Sequence, residues 1–134
     1  MDIFKTKEQV IRGTKYSEVY PRALIIYKNI VSRTKRRPYI RSKYFKKEKI
    51  FLDYFWDHLR EKNWHDRVRR LKFYSCAIDL IEHSNIRPDT HRNPMRKSEM
   101  LYRFTGQTQN GDSFFVQIKE NKRKQKYFMS VFPV

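Results

Sequence analysis

The sequence predicts an α+β fold in which N-terminal helices pack on a small C-terminal antiparallel β-sheet of three or four strands. Apolar residues recur every three to four positions through residues 1–97 and alternate at every second position through residues 98–134. Between the two regimes, Ser84 to Lys97 gathers Asn85, Pro88, Asp89, Asn93 and Pro94, an ordinary loop composition. A chain of 134 residues holds one core of normal size, so a single domain is expected, with a helical part over 1–97 and the sheet over 98–134.

Pro21 suits the first turn of a helix, and Leu24, Tyr27 and Ile30 or Val31 continue one buried face as far as Arg33. From Arg33 to Lys49, nine basic residues and one acidic residue surround Tyr39, Tyr44 and Phe45, and Pro38 interrupts any continuous helix. This stretch, 33–49, reads as a basic arm. Ile50, Phe51, Tyr54, Phe55 and Leu59 repeat with helical period, which predicts a helix over 46–62 with Glu48, Asp53 and Asp57 on its outer side. Asn63 caps a further helix that runs to His83 along Val68, Leu71, Tyr74 or Ser75, Ile78 and Ile81.

Three β-rich runs follow, around Met100–Thr105, Phe114–Lys119 and Tyr127–Phe132. A two-residue Asn110-Gly111 turn would set Arg103 opposite Ile118 and mix the faces. A three-residue loop, Gln109-Asn110-Gly111 with Gly111 left-handed, sets Tyr102 and Phe104 opposite Ile118 and Val116 and is the expected register. Arg103, Thr105, Gln117 and Lys119 then share the other, polar face.

Lys and Arg number 31 against 14 Asp and Glu, a net charge of +17. That charge repels itself in the folded state until a polyanion screens it, and a mixed-sign surface would give solubility with far less imbalance. The expected partner is nucleic acid, RNA before DNA. Its phosphates would meet Arg36, Arg37, Arg41 and Lys43 of the arm and Lys122, Arg123, Lys124 and Lys126 near the last turn. Cys76 has no cysteine to pair with, and Asp2, Lys5, Lys7 and Glu8 stand where a secretory signal would be apolar. The run Ala23-Leu24-Ile25-Ile26 is far short of the roughly 20 apolar residues that cross a bilayer. A cytoplasmic protein without a membrane partner is expected.

The four histidines, at 58, 65, 83 and 91, lack metal-ligand spacing, and three glycines cannot supply a dinucleotide fingerprint or a phosphate loop. Neither metal nor cofactor is therefore expected. Cleavage of RNA by its own 2′-hydroxyl can run without either, given a base, an acid for the leaving 5′-oxygen and fixed cations at the phosphate. Arg103 and Lys119 are candidates to hold the phosphate, Glu120 to act as base, His83 or His91 as acid, and Ser130 to bind a phosphate oxygen. Each has a plainer reading. Arg103 and Lys119 can be solvated charges, Glu120 a partner of Lys122, Ser130 a tolerated small residue, and His83 a cation at a helix C-terminus.

The strands Leu-Tyr-Arg-Phe (101–104), Gly-Asp-Ser-Phe-Phe-Val-Gln-Ile-Lys-Glu (111–120) and Tyr-Phe-Met-Ser-Val-Phe-Pro (127–133) resemble the C-terminal sheet of the barnase, EndoU, colicin and RelE superfamily of ribonucleases, in its phage and mobile-element branch. The resemblance covers residues 98–134. It implies a metal-independent, toxin-like endoribonuclease acting on tRNA, mRNA or the ribosome and neutralised by an antitoxin or immunity protein. The family's sheet residues map here to Lys119, Glu120 and Ser130, and more loosely to Arg103. His91 is the one histidine after Ser84, so the family's late histidine has no counterpart. Two further readings stay open: an RNA- or ribosome-binding protein without chemistry, and a DNA-binding regulator with the 63–83 helix in a groove.

Overall fold

A computed structural model describes residues 3–134. Its elements run β1 (Phe4–Lys5), α1 (Tyr16–Arg33), β2 (Tyr39–Ser42), β3 (Glu48–Phe51), α2 (Asp53–Leu59), α3 (Trp64–Leu71), α4 (Tyr74–His83), β4 (Asp89–Arg92), β5 (Met100–Gln107), β6 (Ser113–Glu120) and β7 (Lys126–Pro133). The α+β class stands, but the small antiparallel sheet does not. Seven strands among the described residues form one curled, mixed sheet in the order β1-β5-β6-β7-β3-β2, with β4 also pairing β5. β1 joins β5 and β3 joins β7 in parallel; the other pairings are antiparallel.

The extra strands come from segments read as helix, arm and loop. Residues 48–51 were expected inside the 46–62 helix, yet Ile40 pairs with Ile50, and Ile50 and Phe51 pair with Lys126 and Tyr127. Over four residues a helical and an extended pattern look alike, and tertiary pairing with complete burial of Ile50 decides between them. The basic arm is accordingly a hairpin, turned by Lys46 and Lys47 with left-handed φ of 54° and 72°. Two of its aromatic residues point inward: Tyr44 and Phe45 meet Phe104 and Tyr102 edge-on, with centroids 5.6 and 4.9 Å apart, whereas Tyr39 alternates to the other side, under Arg41 and Lys49.

The helices are more numerous than their periodicity implied, and their bounds differ. α1 ends at Arg33 as expected but begins at Tyr16, so Pro21 lies inside it. Asn63 caps α3 through Oδ1, which accepts the Asp66 N–H at 2.9 Å. The helix then breaks at Lys72–Phe73 and restarts as α4, whose residues Tyr74 to Ile81 are all buried.

The C-terminal hairpin has the expected register. Tyr102 faces Ile118 and Phe104 faces Val116. Thr108 and Asp112 close the Gln109–Gly111 loop through a 2.9 Å backbone bond, and Gly111 has φ +91°. β6 and β7 then slip by one residue: Gln117 pairs with Ser130 but Ile118 with Phe128, leaving Met129 as the bulge. Before it Phe128 faces the core, and after it Val131 does, both with no exposed surface. Phe55 of α2 stacks on Phe128 at 4.7 Å and 3°, so the helices close over this side of the sheet.

Gly106 sits where that packing is tightest. A Cβ there would lie 2.5 Å from Phe114 Cζ and 2.9 Å from Leu80 Cδ1. Overpacking a core of this kind costs about 1–3 kcal/mol. We expect Gly106→Ala to lower the midpoint of thermal unfolding by several degrees, whereas an alanine at exposed Asn110 leaves it unchanged; both are read by circular dichroism.

Candidate functional site

The side of the sheet away from the core carries the polar row expected from the hairpin register, extended at both edges. Across β5, β6 and β7 it reads Arg103–Gln117–Ser130, flanked by Thr105–Phe115–Phe132 and by Leu101–Lys119–Tyr127. β4 adds Asp89 beside Arg103 and His91 beside Leu101. At the opposite edge β3 pairs with β7 only through Ile50 and Phe51. The chain then turns into α2, which packs along β7 and places Tyr54 next to Tyr127, with ring centroids 6.2 Å apart. α3 follows and brings Arg70.

Ser130 reaches this face because of the bulge. Strict alternation from Phe128 would point Ser130 into the core; the extra residue at Met129 reverses the parity, so Ser130 sits opposite Gln117. Arg70 Nη1 donates to Ser130 Oγ, and Arg70 Nε lies 3.3 Å from Asp66 Oδ2. Phe132 stands between two guanidinium groups, 5.6 Å from that of Arg70 and 5.4 Å from that of Arg103. Arg103 also covers Phe115 at 5.2 Å. Its Nε is buried without a hydrogen-bond partner, and among the described residues it has no carboxylate partner. A half-buried cation that rests against two rings and forms no ion pair, although Asp89 stands on the neighbouring strand, can accept an incoming anion.

The other end of the face is built around Tyr54. Lys119 Nζ lies 4.5 Å from the Tyr54 ring centroid and 3.6 Å from Oε2 of buried Glu99, which also accepts the Asn93 amide at 2.9 Å. The His58 ring stacks on Tyr54 at 5.8 Å, with Nδ1 3.2 Å from Glu61 Oε2. Burial first, and then the neighbouring Lys62 charge, hold His58 below the ordinary histidine pKa. His58 is thus a neutral imidazole at physiological pH, able to accept a proton.

Arg103, Lys119 and Ser130 therefore share one face, whereas Glu120 and His83 lie elsewhere. Glu120 points to the core side, 6 % exposed. Its Oε1 accepts Tyr102 OH at 3.1 Å and lies 3.1 Å from Lys126 Nζ. Lys126 is itself buried, 2.7 Å from Glu48 Oε2 and 4.8 Å from the Phe45 centroid. Burial and the adjacent Glu120 push the Tyr102 hydroxyl up to about 12. His83 ends α4 with Nδ1 2.8 Å from Asp79 Oδ1. The buried Asp79 also accepts the backbone N–H of Lys7 and Glu8, so this pair ties down the N-terminal segment. His83 borders a separate cleft with Arg33, Arg41 and Lys47.

The basic residues of the arm and last turn divide in the same way. Arg36, Lys43, Lys122, Arg123 and Lys124 are exposed, but Arg37 is held by both Asp53 oxygens at 2.8–2.9 Å and covers the Phe51 and Tyr127 rings. Arg41 donates to the Lys47 carbonyl, and Lys126 is enclosed.

Arg70, Tyr54, His58 and Glu99 were not legible as site residues. Tyr54 read as one more member of an apolar stripe, and nothing local signals that α2 and α3 lie along β7. Among the described residues no three His, Cys, Asp or Glu side chains converge to hold a metal ion, and no helix is long and apolar enough to cross a membrane. The chain matches no protein-family model, no curated protein and no solved structure.

The placement of Glu120 and Lys126 generates a stability test. Removing one partner of a buried ion pair costs about 3–5 kcal/mol, because the other charge stays buried. Urea unfolding should show Lys126→Met destabilised by an amount of that order, while Lys122→Met, on the exposed turn, stays within about 0.5 kcal/mol of the parent.

Proposed function

We propose that this chain binds RNA across the outer face of the sheet and cleaves it there without a metal ion. The observation that carries the reading is the row Arg70–Ser130–Gln117–Arg103, in which two guanidinium groups flank hydrogen-bonding side chains and Arg103 lacks a neutralising partner. The net charge of +17 and the resemblance of residues 98–134 to the ribonuclease sheet support the choice of RNA.

In this reading Arg70 and Arg103 hold the scissile phosphate and stabilise the charge that grows on its oxygens, with Ser130 and Gln117 fixing its orientation. The 2′-oxygen attacks phosphorus and the bond to the 5′-oxygen breaks, leaving a 2′,3′-cyclic phosphate and a free 5′-hydroxyl. Neutral His58 takes the 2′-hydroxyl proton, and the Lys119 ammonium gives one to the 5′-oxygen. The Tyr54 ring touches both of these groups and fixes their positions. Glu120 and His83, expected as base and acid from the sequence, have structural tasks instead.

Purified protein should degrade RNA in EDTA to products ending in cyclic phosphate. Lys119→Ala and His58→Ala should each lower the rate about 10²-fold or more, with folding retained. The rate should hold at neutral pH and fall on acidification, with a midpoint below the ordinary histidine value of about 6.5, because the neutral imidazole is the active form. RNA left intact while still bound would eliminate cleavage and leave a binding protein. No association at low ionic strength would eliminate both.

A further inference from the structure

Around α2 from Tyr54 and His58, on the side that faces α1, lies an open cleft of about 570 Å³. α1 lines it with Tyr16, Tyr20 and Tyr27, which recur at helical spacing on one side of that helix, and α2 supplies Trp56. Tyr16 and Tyr20 stack at 5.0 Å and 18°; Tyr20 and Tyr27 meet Trp56 at 6.0 and 5.2 Å. All four rings are half-buried, so the cleft has ordered walls and remains open to solvent.

Its polar groups divide into used and unused. Asp53 is taken by Arg37, and Arg67 donates to the carbonyls of Arg60 and Lys62 at the end of α2. The side chains of Asp57 and Arg60, both exposed and bordering the same cleft, have no hydrogen bond or ion pair among the described residues. A flat ligand with π faces, N–H donors and a nearby negative charge satisfies the rings, Asp57 and Arg60 together. A cationic ligand suits the rings and Asp57 but is repelled by Arg60 and by the field of the whole chain.

We infer that the cleft between α1 and α2 is a stacking site for an unpaired nucleobase of single-stranded RNA. The base lies against Tyr20 and its neighbours, Asp57 accepts an N–H from the base edge, and Arg60 meets the adjoining phosphate. A base in a duplex is stacked on both sides and cannot enter. The inference rests on the RNA reading for the identity of the polyanion, but its residues are distinct from those of the outer face. Asp57 and Arg60 line the cleft, and Tyr54 and His58 do not. An RNA strand crossing α2 would engage both sites, which would make the protein selective for unpaired segments.

The probes are 2′-O-methyl pentaadenylate, which lacks the attacking hydroxyl and stays intact, and inorganic polyphosphate, which has charge but no bases. Tyr20→Leu should weaken pentaadenylate binding about tenfold and leave polyphosphate binding unchanged. In the unaltered protein, adenosine 5′-monophosphate should shift the NMR signals of the Tyr20 and Trp56 ring protons, a readout that holds even if Tyr20→Leu does not fold. Equal pentaadenylate affinity for both proteins, or ring signals that do not move, would overturn the cleft. Arg103→Ala separates the two proposals: loss of cleavage in that variant with no Tyr20 effect leaves the outer face standing alone, and the reverse pattern leaves the cleft alone.

Discussion

Strand β7 has to serve two surfaces that a regular strand could not serve together. Phe128 and Val131 must enter the core, where Phe55 and Val116 meet them, while Tyr127, Ser130 and Phe132 must face outward. Val131 lies three positions after Phe128, and alternation over three positions reverses the face. The bulge at Met129 absorbs the odd residue. Everything on the outer side depends on this local slip: without it Ser130 would be a polar atom in the core, and the Arg70 guanidinium would have no anchor on the sheet. Bulges are common beside functional sites because they re-aim one side chain without moving the strand that carries it.

The positive charge of the chain is organised rather than uniformly displayed. Lys126 is buried with two carboxylates and a phenol on the core side, and Arg37 is clamped by Asp53 and covers two rings; both hold the fold together. Arg103 sits at the other extreme, on aromatic support and without a counter-ion. Because the cost of burying a cation falls when an anion arrives, a half-buried Arg103 gains more from a phosphate than a fully solvated lysine would. Charge count alone therefore says little about where a polyanion is gripped. The number of cations without an internal carboxylate says more.

The C-terminal hairpin was legible because alternation over eight residues and one glycine leave a single register that keeps a clean face, and Arg103 and Lys119 followed from that register. Helix α1 was legible at its end, where the apolar stripe stops, and not at its start, because Pro21 looks like an opening residue even when the helix has begun a turn earlier at Tyr16. β3 was hidden: Glu48 to Phe51 is too short for periodicity to tell strand from helix, and its partner Tyr127 is far along the chain. The site was half legible for the same reason. Residues on β5 and β6 face each other through a local turn, whereas Arg70, Tyr54 and His58 arrive from helices whose position along β7 is settled only by long-range packing. Glu120 alternates correctly and follows directly on Lys119, and that adjacency is what places it on the opposite side.

The parallel pairings of β1 with β5 and of β3 with β7 also govern how the chain can assemble. β1 and β3 emerge from the ribosome early, yet each is completed by a strand that emerges late; the Glu48–Lys126 bond alone spans 78 positions. Until β7 is synthesised, Ile50 and the β2–β3 hairpin have no sheet to join, and loop closure over such distances is slow. Until then the strand edges of the first half stay unpaired, in a stretch that carries more than half of the aromatic residues. Its density of lysine and arginine repels one such chain from another during that interval, so the net charge of +17 guards the polypeptide against self-association while those edges are open.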